Sequence, residues 1–122
     1  KSIYETGQLR LMIDLITGNE TIGTIDIFDF DPFHNRAGIG ILIAKEEQRR
    51  KGYASMALKC LIDYCFRTLQ LHQLWCNILA NNHESIELFQ KLGFLQIGIK
   101  KDWVKTANCY LDEYMFQLVN PH

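Results

Sequence analysis

A change of hydrophobic period partway along the chain predicts one mixed α/β domain. Strand-like runs joined by turn signals come first, apolar residues then recur at helical spacing from Ala54 onward, and strand and helix patterns alternate after that. The 122 residues are 48 % apolar or aromatic and 22 % charged, enough to build a core of their own. That balance excludes intrinsic disorder, collagen-like repetition and low-complexity sequence. Neither an internal repeat nor a linker divides the chain, so residues 1–122 read as a single domain.

The elements follow in order. Leu9 to Ile16 is apolar and meets the turn signal Thr17-Gly18-Asn19, which makes it a strand. Glu20 to Phe30, rich in Ile, Thr and Phe, runs into Asp31-Pro32. Arg36 to Ala44 follows with Ile39, Ile41 and Ile43 in alternation. These two runs read as a hairpin-like pair, and three strands connected by turns predict an antiparallel start to the sheet. From Ala54, the residues Ala57, Leu58, Leu61, Ile62, Cys65 and Leu69 mark one helical face. Leu74 to Ala80 returns to strand character, with Trp75 as a core residue.

Asn81 or Asn82 can cap the next helix, and Glu84, three residues after Asn81, fits a capping box. Leu88, Phe89 and Leu92 supply the buried stripe of that helix and Gly93 its stop. Phe94 to Ile99 and Tyr110 to Leu118 read as the last two strands. Trp103 then falls in a polar loop, as a lid or a dimer contact. The predicted order is βββ-α-β-α-ββ.

Thirteen basic and fourteen acidic residues leave a formal charge of -1, which argues against a general nucleic-acid or membrane surface. No apolar run approaches the roughly 20 residues that span a bilayer. Cys60, Cys65, Cys76 and Cys109 show neither CxxC nor a disulfide framework, and are expected to be reduced thiols of a cytoplasmic protein. His34, His72, His83 and His122 are too scattered for a metal site, so no metal is expected. Lys1 to Arg10 contains no Met and no leader pattern, which suggests that sequence is missing upstream.

Chemistry concentrates in Lys45-Glu46-Glu47-Gln48-Arg49-Arg50-Lys51-Gly52-Tyr53-Ala54, between a strand and the start of the long helix. A helix N-terminus offers unpaired N–H groups and positive dipole, and Arg49, Arg50 and Lys51 add charge-assisted donors. Gly52 permits close backbone approach to a phosphate. An ordinary solvated basic turn is the other reading. The segment is not a GxxxxGK[ST] loop, and Gly38-x-Gly40 lacks the third glycine of a dinucleotide fingerprint.

Arg49-x-x-Gly52-x-Ala54 resembles the [QR]-x-x-G-x-[GA] pyrophosphate loop of the GNAT superfamily of acetyl-CoA-dependent N-acetyltransferases. Asn82-x-x-Ser85-x-x-Leu88-Phe89-x-Lys91-x-Gly93-Phe94 is similar to that superfamily's N-x-x-[SA]-x-x-L-Y-x-K-x-G-F helix. Both occur in the family's order, and Tyr110-x-Asp112 resembles its last strand, so the likeness runs from about Glu20 to Leu118. His34-Asn35-Arg36-Ala37 and Phe66-Arg67-Thr68-Leu69-Gln70-Leu71 are similar to the branch of polyamine (spermidine) and ribosomal-protein N-terminal acetyltransferases.

The resemblance implies a GNAT-like α/β fold of the α+β type, a mixed, mainly antiparallel sheet flanked by helices. It further implies that the family's N-terminal strand and helices, which shape the acceptor pocket, are missing here. Acetyl-CoA would be the cosubstrate, lying in a splay between the strands that end at Ala44 and Ala80. Backbone groups of Ile41, Leu42 and Ile43 would pair with its pantetheine arm. Gln48, Arg49, Arg50, Lys51, Gly52, Tyr53 and Ala54 would wrap its pyrophosphate, and Asn82 and Ser85 would touch the pantetheine or adenosine end. A small amine, a polyamine or a peptide N-terminus would attack the thioester directly, without an acyl-enzyme on Cys109. Dimers are common among such proteins, which makes a homodimer a candidate assembly. The alternative is an acyl-CoA-binding module with weak or lost catalysis.

Direct attack needs a neutral amine, yet an unperturbed amine of pKa about 10.4 is charged at neutral pH. Among Asp26, Asp29 and Asp31, the first is the candidate base. If the hairpin pairs residues whose numbers sum to an even value, Asp26 faces the same side as Gly40, and the glycines there leave space for a substrate. Asp31 reads as a turn residue. Two positions depart from the family pattern: Phe89 stands where a proton-donating Tyr is usual, and Gly38 where a catalytic Glu is frequent. Tyr110 or Ser85 could take the donor role, or water could protonate a thiolate whose acid has a pKa of about 8.5.

Overall fold

The computed structural model describes residues 2–15, 20–43 and 52–122. Three antiparallel strands open the sheet: β1 (Leu9–Leu15), β2 (Glu20–Asp31) and β3 (Arg36–Ile43). Helix α2 (Tyr53–Asp63) follows and runs on through a π turn at Tyr64–Thr68, where the Leu69 N–H reaches back 3.1 Å to the Tyr64 carbonyl. Then come β4 (Gln73–Leu79), α3 (His83–Lys91), β5 (Leu95–Lys105) and β6 (Tyr110–Val119). The six strands lie in the order β1-β2-β3-β4-β6-β5, with β3 and β4 parallel and every other neighbour antiparallel. The mainly antiparallel α/β architecture expected from the sequence is therefore the one observed.

Before β1 lies a one-turn helix, α1 (Ile3–Thr6), that periodicity did not announce. One turn is too short to show a period and too short to be stable alone. Tertiary contact holds it: Ile3 is buried in the core and the Tyr4 ring meets Phe30 edge-on at 5.2 Å.

The core occupies one side of the sheet. Ile25, Ile27, Ala37, Ile39, Leu74, Cys76 and Phe116 alternate onto that face, where Leu58, Leu61, Cys65 and Phe66 of the long helix and Phe89 of α3 pack against them. Each of the Ile, Leu and Phe side chains contributes roughly 1.5–3 kcal/mol of hydrophobic burial. Burial also pushes the Cys65 and Cys76 thiols up to about 12, so they behave as small hydrophobes.

Two boundaries differ from expectation, and Trp75 is half-buried on the sheet face away from the helices instead of in the core. Strand β5 does not stop at Ile99 but continues to Lys105 through two bulges, with Asp102 in the left-handed region at φ 48°. Trp103 is thus a strand residue and not a loop residue, and the Lys100 ammonium sits 5.1 Å from its ring centre. Each bulge resets the alternation that sequence reading relies on. The cap of α3 is Asn82, whose Oδ1 accepts from the Ser85 N–H at 3.2 Å. Glu84 therefore falls at the second helical position, one short of a capping box. Asp31 behaves as the turn residue foreseen: its carboxylate accepts from the N–H groups of Phe33 and His34, at 3.1 and 3.0 Å, and pairs with His34 Nδ1 at 2.8 Å. The hydrogen bonds from His34 hold its pKa below the usual carboxylate value.

Candidate active site

Strands β3 and β4 pair only over Arg36–Gly38 and Gln73–Trp75. Beyond that point β3 stays with β2 as far as Ile43, while β4 stays with β6 as far as Leu79. The two parallel strands thus fork, and a cavity of about 820 Å³ opens beside them. Ile41, Leu42 and Ile43 form its strand wall, and Gly52, Ala54 and Ser55 bring the start of α2 to it. Asn82, Ser85, Leu88 and Lys91 belong to the third wall, one side of α3.

The start of α2 has the chemistry of an anion site. Gly52 is its N-cap, with φ 83° and no side-chain capping bond, and the Met56 N–H bonds the Gly52 carbonyl at 3.0 Å. The earlier N–H groups of the helix therefore have no intrahelical acceptor, next to the cavity. A Cβ at Gly52 would meet nothing within 4 Å, so glycine is required there for its backbone angle and not for space. Tyr53 opens the helix half-buried and does not line the cavity. Gln48, Arg49, Arg50 and Lys51 lie outside the described residues.

Seven of the expected cofactor residues thus share one cavity: Ile41, Leu42, Ile43, Gly52, Ala54, Asn82 and Ser85. Six others went unnamed as cofactor contacts: Ser55, His83, Glu84, Glu87, Leu88 and Lys91. The α3 members were findable, because 83, 84, 87, 88 and 91 follow the i, i+4, i+8 and i, i+3 spacing that defines one helical side. Leu88, expected in the buried stripe, is half-buried and serves both core and cavity.

The expected catalytic pair is placed elsewhere. Asp26 does lie opposite Gly40, as the even-sum register required. However, Arg10 faces it from β1 and grips it in bidentate fashion, Nε to Oδ1 at 2.7 Å and a terminal nitrogen to Oδ2 at 3.1 Å. That contact raises the Arg10 pKa and occupies both carboxylate oxygens. The room expected above the glycines is filled as well. A Cβ at Gly38 would fall inside the Phe28 ring, and one at Gly40 would lie 3.7 Å from it. Asp26 does not line the cavity, nor does Tyr110, which is 55 % exposed and pairs with Lys105 at the far end of the β5–β6 ladder. Phe89 points into the core against Phe94, with ring centres 5.1 Å apart. Among the described residues, the hydroxyls on the cavity wall are those of Ser55 and Ser85.

Comparison with known proteins agrees with this architecture. The family model of the acetyltransferase (GNAT) domain matches residues 2–95, and the chain belongs to that family. An uncharacterized N-acetyltransferase, p20, of Bacillus licheniformis is 35 % identical over 110 residues, covering 90 % of this chain and 61 % of its own length. The spermidine N(1)-acetyltransferase of Escherichia coli K12 is 31 % identical over 94 residues, covering 77 % of this chain and 49 % of its own. The chain therefore spans about half to three fifths of these relatives. A dodecameric spermidine N-acetyltransferase from Vibrio cholerae superposes with a TM-score of 0.87 at 21 % identity, over 97 % of this chain and 68 % of that one. At that identity the likeness speaks for the fold.

Among the described residues no helix is long and apolar enough to cross a membrane, and no group of three or more potential ligands could hold a metal ion.

Proposed function

We propose that the protein is an N-acetyltransferase that moves an acetyl group from acetyl-CoA to a primary amine by direct attack. The observation that carries this reading is the cavity at the fork, where strand backbone, an uncapped helix start and one side of α3 converge. Such a set suits a long anionic cosubstrate: N–H groups at the start of α2 for the pyrophosphate, Ile41 to Ile43 for the amide-bearing arm, and α3 for the remainder.

The amine nitrogen attacks the thioester carbonyl carbon and forms the new C–N bond as the C–S bond breaks. The nitrogen releases one proton and the departing thiolate takes one up, so charge balances. Backbone N–H groups near Ile41 can steady the oxyanion. Ser85, on the cavity wall, is a better-placed donor toward the thiolate than Tyr110. Because Arg10 holds both oxygens of Asp26, water is the route by which the amine loses its proton in this reading.

The acceptor is a small amine, a polyamine or a peptide N-terminus, and relatives named spermidine N(1)-acetyltransferase support the amine class. The dodecameric Vibrio cholerae relative supports self-association, with a homodimer as its smallest form. Reduced thiols at Cys60, Cys65, Cys76 and Cys109 fit a cytoplasmic setting.

A second reading, an acyl-CoA-binding module with weak catalysis, draws on the burial of Phe89 and the distance of Tyr110 from the cavity. Thiol release separates the two. The full-length protein is mixed with acetyl-CoA and a panel of spermidine, spermine and free-N-terminus peptides. Release with an amine supports the enzyme. A raised melting temperature without release from any amine supports the binding module, and neither effect removes both readings.

A further inference from the structure

Gly38 and Trp75 are the last residues that pair before β3 and β4 part, so they mark the root of the fork. On the sheet face turned away from the helices, Phe28 lies opposite Gly38 and lays its ring over it, reaching as far as Gly40. Trp75 meets that ring edge-to-face, with centroids 5.3 Å apart and planes at 88°. Both aromatics are half-buried, so part of each ring remains accessible. Leu42, two residues beyond Gly40 on the same face, is 59 % exposed and also lines the cavity. An apolar strip thus leads from the aromatic pair into the cofactor cavity.

Two carboxylates on the strip's own face are already matched. Asp26 is held by Arg10 at 2.7 Å, and Glu113, on the same face of β6, by Lys100 at 3.4 Å. Gln73 and Gln117, flanking Trp75, hydrogen-bond to each other. An extended polycation gains affinity from carboxylates that are free to receive each ammonium, and these two already have partners. A compact amine on an apolar or aromatic body needs only one nitrogen at the thioester, and its body gains from ring contact and burial.

We infer that Phe28 and Trp75 are specificity-determining residues on the acceptor side, and that they select a primary amine carried on an apolar or aromatic body over an extended polycation. The inference rests on the acetyltransferase reading above and narrows its acceptor. Phe28 sets the floor of the approach to the thioester, and Trp75 holds that ring in place. Arg10 adds to the selection by keeping Asp26 neutralised.

The test compares phenethylamine with spermidine on the full-length protein, following thiol release from acetyl-CoA. The expected result is kcat/KM about tenfold higher for phenethylamine. Phe28→Ala should lower the phenethylamine value about tenfold, through KM and not kcat, with the KM for acetyl-CoA unchanged. Phe28→Leu, which keeps apolar volume but removes the ring, should shift it the same way if the alanine variant fails to fold. Arg10→Ala, which frees Asp26, should raise kcat/KM for spermidine severalfold. Equal or better use of spermidine by the unaltered protein overturns the inference, as does a Phe28 variant that leaves the ratio of the two amines unchanged. Release from neither amine but from a peptide N-terminus overturns the inference alone. Release from no amine at all, with acetyl-CoA still raising the melting temperature, would instead remove the acetyltransferase reading beneath it.

Discussion

The two faces of the sheet are built on different logic. The face under the helices is apolar throughout: Ile25, Ile27, Ile39, Leu74, Cys76 and Phe116 meet Leu58, Leu61, Cys65 and Phe89, each nearly or wholly withdrawn from water. The opposite face is held by specific pairs: Arg10 with Asp26, Lys100 with Glu113, Gln73 with Gln117, and Phe28 with Trp75. Burial is non-directional and tolerates volume-conserving change. Pairing depends on which strand lies beside which. Stability should therefore reside mainly in the first face and selectivity in the second.

The largest expected effect tests that division at its base. Phe116→Ala, at the centre of the covered face, should cost about 3–5 kcal/mol in urea unfolding, whereas Met12→Ala, 62 % exposed, should stay within about 0.5 kcal/mol. Comparable losses at both sites would erase the contrast.

The next effect lies where Phe28 packs tightly on the open face. Gly38→Ala drives a methyl into the Phe28 ring and should cost about 1–3 kcal/mol. Combining it with Phe28→Ala should recover much of that loss, and strict additivity in the double-mutant cycle would contradict the contact.

Asn82→Ala removes the bond to the Ser85 N–H and should cost about 1 kcal/mol, with helix α3 reporting increased amide exchange in its first turn. Unchanged exchange there would show that the cap is not held by this side chain.

The smallest effect is electrostatic. Asp31 and Asp112 both have pKa values lowered in the fold, chiefly by backbone N–H groups of His34 and Asp102 respectively. Their contribution is thus complete above the ordinary carboxylate range and is lost as pH falls through the depressed values. Stability should decline on acidification below about pH 4. Asp31→Asn and Asp112→Asn should each flatten that decline in urea unfolding followed across pH.

The same contrast explains what the sequence disclosed. Strands β1 to β3, both long helices and the core stripe on α2 were legible because burial imposes a local period of 2 or 3.6 residues. The even-sum register of Asp26 with Gly40 was only a condition in the sequence, and its meaning was not legible at all, because Arg10 sits sixteen residues away and becomes a neighbour only once β1 pairs with β2. Likewise Gly38 suggested room for a substrate, whereas Phe28 fills that room from the neighbouring strand. The cavity at the fork stood between these extremes. Gly52, Ala54, Asn82 and Ser85 lie in motifs whose spacing is local and His83 and Glu87 share their helical side, but Ser55 needed the orientation of α2 about the fork. Trp103 was misplaced because two bulges in β5 reset the alternation.

The most direct test of the central claim, that the start of α2 beside the fork receives the anionic cosubstrate, is a thermal shift with acetyl-CoA on the protein and on Gly52→Asp. The aspartate would put a carboxylate where N–H groups now open to the cavity, and at φ 83° it carries backbone strain of about 1–2 kcal/mol that lowers the variant's own melting temperature. A clear rise in melting temperature for the unaltered protein, abolished in the variant while the variant still melts cooperatively, is the result expected. Equal stabilisation of both proteins would place the cosubstrate somewhere other than this helix start.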